Sequence, residues 1–197
     1  MSKYKLLLFT SNKNKIAEIK KVIPKKKFKL YTLENFSKIK MPVENKSTFK
    51  KNAEIKSIYG YKKFKIPCLA DDSGICINAL NNKPGVNSNR YQKKLGGYNK
   101  AFDKILKNLE KTKNRKAYFQ TIISFTYDKN KTVFFEGRVG GLIAKKPMGN
   151  KGFGYDPIFL PEKSQETFGQ MSKLKKNKVS HRIKALKKFI NFFKQFN

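Results

Sequence analysis

The stretch Leu69-Ala70-Asp71-Asp72-Ser73-Gly74 sets the strongest condition on how this chain can fold. It puts two adjacent carboxylates at the end of an apolar run, with no basic residue beside them, in a sequence of 46 Lys+Arg and only 13 Asp+Glu. Residues 66–70, with Pro67 near the start of the run and Gly74 after its end, read as a short buried strand that delivers both acids at its C-terminal edge. Side chains alternate along a strand, so Asp71 and Asp72 are expected to point to opposite faces and to take different jobs. One can bind a cation or activate a water while the other holds the turn. Asp-Ser-Gly is also good turn chemistry, and these six residues alone leave a purely structural turn open.

At 197 residues the chain has the length of one domain with a real core, with room for two lobes. An apolar content of 39% with 17 Phe excludes disorder, and no apolar run nears the roughly 18 residues of a membrane span. Leu6-Leu7-Leu8-Phe9 is too short for a signal-peptide core and lacks a small-residue cleavage site, so a cytoplasmic protein with no membrane association is expected. Cys68 and Cys76 fall in neighbouring predicted strands without a Cys-x-x-Cys spacing and are expected to be reduced core residues.

The net charge of +33 invites a nucleic-acid reading. Yet only four of the 46 basic residues are arginine (Arg90, Arg115, Arg138 and Arg182), whereas base and phosphate readers lean on the arginine fork. Lysine is spread along the whole chain beside abundant Asn, Ile and Phe, a pattern of general composition rather than of a built nucleic-acid surface. The field would still draw in small anions.

In chain order, residues 4–9 read as a buried first strand. Thr10-Ser11-Asn12-Lys13-Asn14-Lys15 follows, and then Ile16, Ile19 and Val22/Ile23 at helical spacing until Pro24 stops the helix. Free backbone N–H groups at such a helix start bind anions, and short polar side chains with a lysine complete a phosphate seat. A simple capped helix is the competing reading, and no P-loop pattern occurs anywhere. Residues 28–33 read as a second strand, followed by a loop carrying Glu44, and Ser47 is placed to cap a helix over 48–63. Residues 75–80 read as another strand, and residues 81–85 as a turn from which Ser88-Asn89-Arg90-Tyr91 leads away. Phe102, Ile105, Leu106 and Leu109 mark an amphipathic helix.

Residues 117–127 and 132–139 read as a long hairpin joined by Asp128-Lys129-Asn130-Lys131. In Gly152-Phe153-Gly154-Tyr155-Asp156-Pro157 the glycines allow close backbone approach, and both aromatics are candidates to stack on a flat ring. Ser180 is placed as the N-cap of a last helix carrying Leu186, Phe189, Ile190 and Phe193. His181 and Arg182 then stand in its first turn, where the helix dipole disfavours positive charge and an anionic neighbour or a base edge is expected. His181 is the only histidine, which excludes a histidine-rich zinc cluster; a structural role for it stays open beside a functional one.

Four segments, Thr10-Ser11-Asn12-x-x-Lys15, Leu69-Ala70-Asp71-Asp72-Ser73-Gly74, Gly152-Phe153-Gly154-Tyr155-Asp156-Pro157 and Ser180-His181-Arg182-x-Lys184-Ala185-Leu186, in this order and spacing, resemble the inosine triphosphate pyrophosphatase family. Thr48-Phe49-x-x-Asn52-Ala53 and Pro84-Gly85-Val86-x-Ser88-x-Arg90-Tyr91 match as well, so the resemblance spans essentially the whole chain. It implies an elongated α/β fold, a mixed sheet flanked by helices with two lobes around a central substrate cleft, in a single domain over 1–197 that forms a homodimer. It implies hydrolysis of ITP, dITP and XTP, purine nucleoside triphosphates, to the monophosphate and pyrophosphate. Mg²⁺ is implied as cofactor, with Asp72 as metal ligand and water-activating residue and Glu44 as second ligand. Thr10, Ser11, Asn12, Lys13, Asn14 and Lys15 are implied on the phosphate side, Ser73 at the substrate, and Phe153, Gly154, Tyr155, Asp156, Lys176, His181 and Arg182 around the base. Ser11 stands where many members have glycine, and Lys46 where glycine is usual. A Maf-like pyrophosphatase of modified pyrimidine nucleotides and a non-catalytic basic nucleic-acid-binding protein are the alternatives; the Phe-Gly-Tyr-Asp and Ser-His-Arg segments argue against the first.

Overall fold

The first apolar run folds as a strand, β1 (Tyr4–Leu8), and the periodic segment after it is helix α1 (Lys13–Val22). The structure, a computed structural model, describes residues 3–37 and 39–194. Strand β2 (Phe28–Thr32) lies parallel to β1, in register from Tyr4 opposite Phe28 to Leu8 opposite Thr32. Helix α2 (Phe49–Phe64) is capped by Thr48, whose side chain accepts from the Lys51 N–H, and not by Ser47 as expected. Thr48 has the extended backbone that a cap requires, with φ −131° and ψ 147°.

The acid-bearing run differs most from expectation. Strand β3 (Cys68–Ile77) passes straight through Asp71, Asp72 and Gly74, so there is no turn after the acids and no separate strand over 75–80; residues 78–80 are a short 3₁₀ turn. Gly74 is a point of close approach instead. A Cβ there would meet the Gly85 carbonyl and, at 2.5 Å, Ser88 Oγ, which accepts from the Ile75 N–H at 3.0 Å and donates to that carbonyl at 2.6 Å. Cys68 and Cys76 therefore sit in one strand, both free and buried.

After β4 (Lys83–Pro84), helices α3 (Ser88–Leu95) and α4 (Tyr98–Asn108) follow. Helix α3 has no counterpart in the sequence reading, because only Tyr91 and Leu95 mark an apolar face on it. The hairpin is present as β5 (Lys116–Asp128) and β6 (Lys131–Ile143), with a two-residue turn in place of the expected four. Strand β7 (Phe159–Pro161) and helices α5 (Lys173–Val179) and α6 (His181–Lys194) complete the chain. Ser180 does precede α6, but among the described residues its buried hydroxyl has no hydrogen-bond partner, so the expected side-chain cap is not made.

The seven strands form one mixed sheet in the order β2-β1-β3-β5-β6-β7, with β4 pairing β3. β1 is parallel to β2 and β3, while β3/β4 and β6/β7 are antiparallel. The chain divides into two compact units. Unit 1 comprises Met1–Asp72, Thr121–Gly137 and Arg182–Asn197; unit 2 comprises Ser73–Gln120 and Arg138–His181. In unit 1, Leu6, Leu8, Ile19, Phe125 and Phe189 form one buried cluster, and Leu7, Phe9, Cys68 and Ala70 form a second. In unit 2 the core gathers Ile75, Ile77, Phe102, Phe119, Phe159 and Phe168. Each buried Leu, Ile or Phe among them contributes about 1.5–3 kcal/mol by leaving water. No helix among the described residues is long and apolar enough to cross a membrane.

Candidate active site

Unit 1 holds the loop of residues 10–15 and the acid pair. Asn12 caps α1, its side chain accepting from the Asn14 and Lys15 N–H groups at 3.0 and 3.2 Å, and its own N–H reaches Thr10 Oγ1 at 3.2 Å. The loop is thus a self-capped helix start, with Ser11, Asn12, Lys13 and Asn14 exposed. Thr10 and Ser11 also line an open hollow of about 370 Å³ that Phe36, Ile39 and Met41 help to enclose.

Lys15, one turn into α1, reaches the buried Asp71 carboxylate at 2.9 Å. The same oxygen faces Arg182 Nε at 3.4 Å, and the Arg182 guanidinium also contacts Glu18 of α1. Burial lowers the Lys15 pKa, with Asp71 pulling against it and Arg182 and Lys56 pushing the same way. For Arg182, burial works toward a lower pKa, but Asp71 and Glu18 together hold it above its ordinary value. The anionic neighbour expected for Arg182 is therefore present in the protein itself.

Asp72 has different company from Asp71, as strand alternation requires. Its Oδ2 accepts from Asn52 Nδ2 of α2 at 3.0 Å. Burial raises the Asp72 pKa, offset by Lys56, Lys15 and the Asn52 hydrogen bond. One turn along α2, Lys56 Nζ bonds both Glu44 Oε2 at 2.9 Å and the Asp71 carbonyl. Glu44 is thereby tied to the acid-bearing strand while its own side chain stays 44% exposed.

Unit 2 holds the other candidates. Asp156 Oδ2 accepts from the Phe153 N–H at 2.7 Å and from Lys176 Nζ at 2.6 Å, and Asp156 and Lys176 are both buried. The ammonium of Lys176 lies 4.5 Å from the centre of the Phe153 ring, a cation–π contact. Gly152 and Gly154 take left-handed backbone, φ +82° and +67°, and a Cβ at Gly152 would run into the Asp156 carboxylate. Tyr155 differs from expectation. Its ring is buried in the unit 2 core and its hydroxyl donates to the Ser88 carbonyl at 2.9 Å, so of the two aromatics only the half-buried Phe153 presents a ring for stacking. His181 stacks on Phe119, rings 4.8 Å apart and 8° from parallel. Ser73 is half-buried in β3.

The structure thus joins Lys15, Asp71, Asp72, Glu44 and Arg182 in unit 1, and Phe153, Asp156 and Lys176 in unit 2. Sequence reasoning gave no role to Glu18, Asn52 or Lys56. The last two had a signal, since Asn52, Lys56 and Ser57 repeat at i, i+4, i+5 on a helix whose apolar stripe is otherwise weak.

Glu44 and Asp72 offer oxygen donors only, the set a hard cation takes. Among the described residues no three His, Cys, Asp or Glu side chains group to hold a metal. Two such carboxylates suit a divalent cation that completes its shell with water and phosphate oxygens.

The Ham1 family profile matches residues 6–192. A dITP/XTP pyrophosphatase of Flavobacterium psychrophilum is 40% identical over 96% of this chain and 98% of its own. Another from Aquifex aeolicus is 39% identical over 96% of each chain. Among solved structures, a HAM1 protein from Coxiella burnetii superposes with a TM-score of 0.90 at 34% identity, covering 98% of this chain and 99% of that one. The Staphylococcus aureus Ham1 protein gives a TM-score of 0.88 at 32% identity, covering 98% of this chain and all of its own. With the profile and these relatives spanning nearly its whole length, the chain belongs to the Ham1 family.

Proposed function

We propose that this chain hydrolyses ITP, dITP and XTP to the nucleoside monophosphate and pyrophosphate, clearing these purines from the cytoplasmic nucleotide pool. The observation that carries the reading is the buried cluster of unit 1, where two adjacent acids of β3 meet Lys15, Lys56 and Arg182, in a chain whose full-length relatives bear the name dITP/XTP pyrophosphatase.

Asp72 takes a proton from the attacking water. The hydroxide adds to the α-phosphorus, the bond from that phosphorus to its bridging oxygen breaks, and pyrophosphate departs with the electron pair. Lys15 and the side chains of residues 10–14 meet the charge of the departing group. Glu44 and Asp72 are assigned as the residues that hold Mg²⁺; bound there, the ion would polarise phosphate oxygens and offset their charge.

Recognition of the base is assigned to Phe153, Gly154, Tyr155, Asp156, Lys176 and His181, with Lys176 as the donor toward the 6-oxygen and Tyr155 contributing backbone. Adenine presents a 6-amino donor to that donor and is refused. Guanine keeps the 6-oxygen, so its exclusion falls on an unpaired or crowded 2-amino group, a penalty of roughly 1–3 kcal/mol. The homodimer belongs to the same reading and is checked by sedimentation equilibrium, where a purely monomeric mass would remove it.

The experiment is pyrophosphate release from ITP, XTP, GTP and ATP, with Mg²⁺ and with chelator. Metal-dependent release from ITP and XTP alone is expected, and Asp72→Asn should abolish it with the fold intact. Full turnover by that variant would refute the role of Asp72; no release from any substrate would refute the activity.

A further inference from the structure

We infer that Asn52 is a positioning residue for Asp72, acting by clamping the acid-bearing strand β3 to the loop that carries Glu44. The inference rests on the functional reading above.

Asn52 is buried, 1% exposed, on a helix face turned toward β3. Its three polar contacts join two segments. Oδ1 accepts from the Lys46 N–H at 3.0 Å, and Nδ2 donates to Asp72 Oδ2 at 3.0 Å and, more weakly, to the Lys46 carbonyl at 3.5 Å. This pattern fixes which end of the amide is which. A backbone N–H requires the oxygen on one side and a carboxylate requires the NH₂ on the other, so a flipped side chain would set donor against donor and acceptor against acceptor.

Lys56 repeats the link one helical turn later, from Glu44 Oε2 to the Asp71 carbonyl. Residues at i and i+4 share a helix face. Helix α2 therefore spans from the Glu44 loop to β3 twice, and only the Asn52 link ends on the Asp72 carboxylate itself. Asn52 touches neither water nor phosphate in this scheme; its effect passes through the direction in which Asp72 points its oxygens. Partners that orient a metal-ligating carboxylate typically carry 10–100-fold in metal affinity or activity.

The test uses Asn52→Ala and Asn52→Leu, the second nearly volume-matched so that a cavity does not decide the result. Each is compared with Asp72→Asn and with the Asn52→Ala/Asp72→Asn double variant. Mn²⁺ binding to the nucleotide-free protein is followed by electron paramagnetic resonance, alongside kcat and KM for ITP. We expect both Asn52 variants to lose about 10–100-fold in Mn²⁺ affinity and in kcat, with KM moved less than about threefold. Adding Asn52→Ala to Asp72→Asn should cost no further Mn²⁺ affinity. A folded Asn52 variant with wild-type kcat and Mn²⁺ affinity, or losses that multiply in the double variant, would overturn the positioning role. Wild-type turnover in Asp72→Asn would instead refute the assignment of Asp72 on which the inference rests.

Discussion

Arg182 is a buried cation held between two carboxylates. Its guanidinium is 2% exposed and divides its charge between Asp71 of β3 and Glu18 of α1, while Lys15 shares the Asp71 oxygen. The arginine fork is suited to such a two-carboxylate position, because its donors are planar and preset. Truncation would take the guanidinium away from both Asp71 and Glu18, and breaking a buried pair by removing one member costs about 3–5 kcal/mol. Arg182→Ala is therefore expected to lose that much stability in urea unfolding, while Arg182→Met with Asp71→Asn should recover part of it. Equal losses in the two would mean the charges contribute little. The sequence made half of this legible. Two cations in the first turn of a helix announced an anionic neighbour, and for Arg182 the structure supplies one. It did not tell which acid, since the partners lie 111 and 164 residues away in the chain and no local pattern links positions that far apart.

At the scale of elements, α2 shows why part of the site was hidden. Its buried face is Phe49, Asn52, Ala53, Lys56, Ser57 and Gly60, mostly small or polar residues that do not register as a core stripe. Ser57 Oγ lies 2.7 Å from Ser124 Oγ and 2.8 Å from Thr126 Oγ1, so the helix docks on β5 through hydroxyls. Gly60 permits the closest approach, because a Cβ there would come within 2.5 Å of Cys68 Sγ and 2.7 Å of the Phe9 ring. Helix propensity alone favours alanine over glycine by roughly 1 kcal/mol. Packing opposes it, since overfilling a close-packed core costs about 1–3 kcal/mol. Packing should win. Gly60→Ala is expected to lower stability in thermal or urea unfolding, and a gain would show that the contact yields easily. The same physics explains the misread strand: Gly74 looks like a turn residue in sequence, yet it serves to let Ser88 and Gly85 come close to β3.

Over the whole molecule the formal charge of +33 has a cost set by where the acids are. Of the 13 acidic residues, Glu18, Glu44, Asp71 and Asp156 are engaged with Lys or Arg inside the two candidate clusters. Asp71, Asp72 and Asp156 are buried, and the other acids stand exposed or half-buried among far more numerous exposed lysines, so the surface carries a large excess of positive charge. Like charges at the surface repel through solvent and disfavour the compact state, and salt screens them. Buried pairs are screened far less. Raising NaCl from about 0.01 M to about 0.15 M shortens the Debye length from about 30 Å to about 8 Å, which should weaken the repulsion and leave the internal pairs nearly untouched. The melting temperature is therefore expected to rise across that range, most steeply at the low end where the screening length changes fastest. A melting temperature that falls with salt would mean that attractive surface pairs outweigh the repulsion, and the lysine excess would then need a partner to account for it.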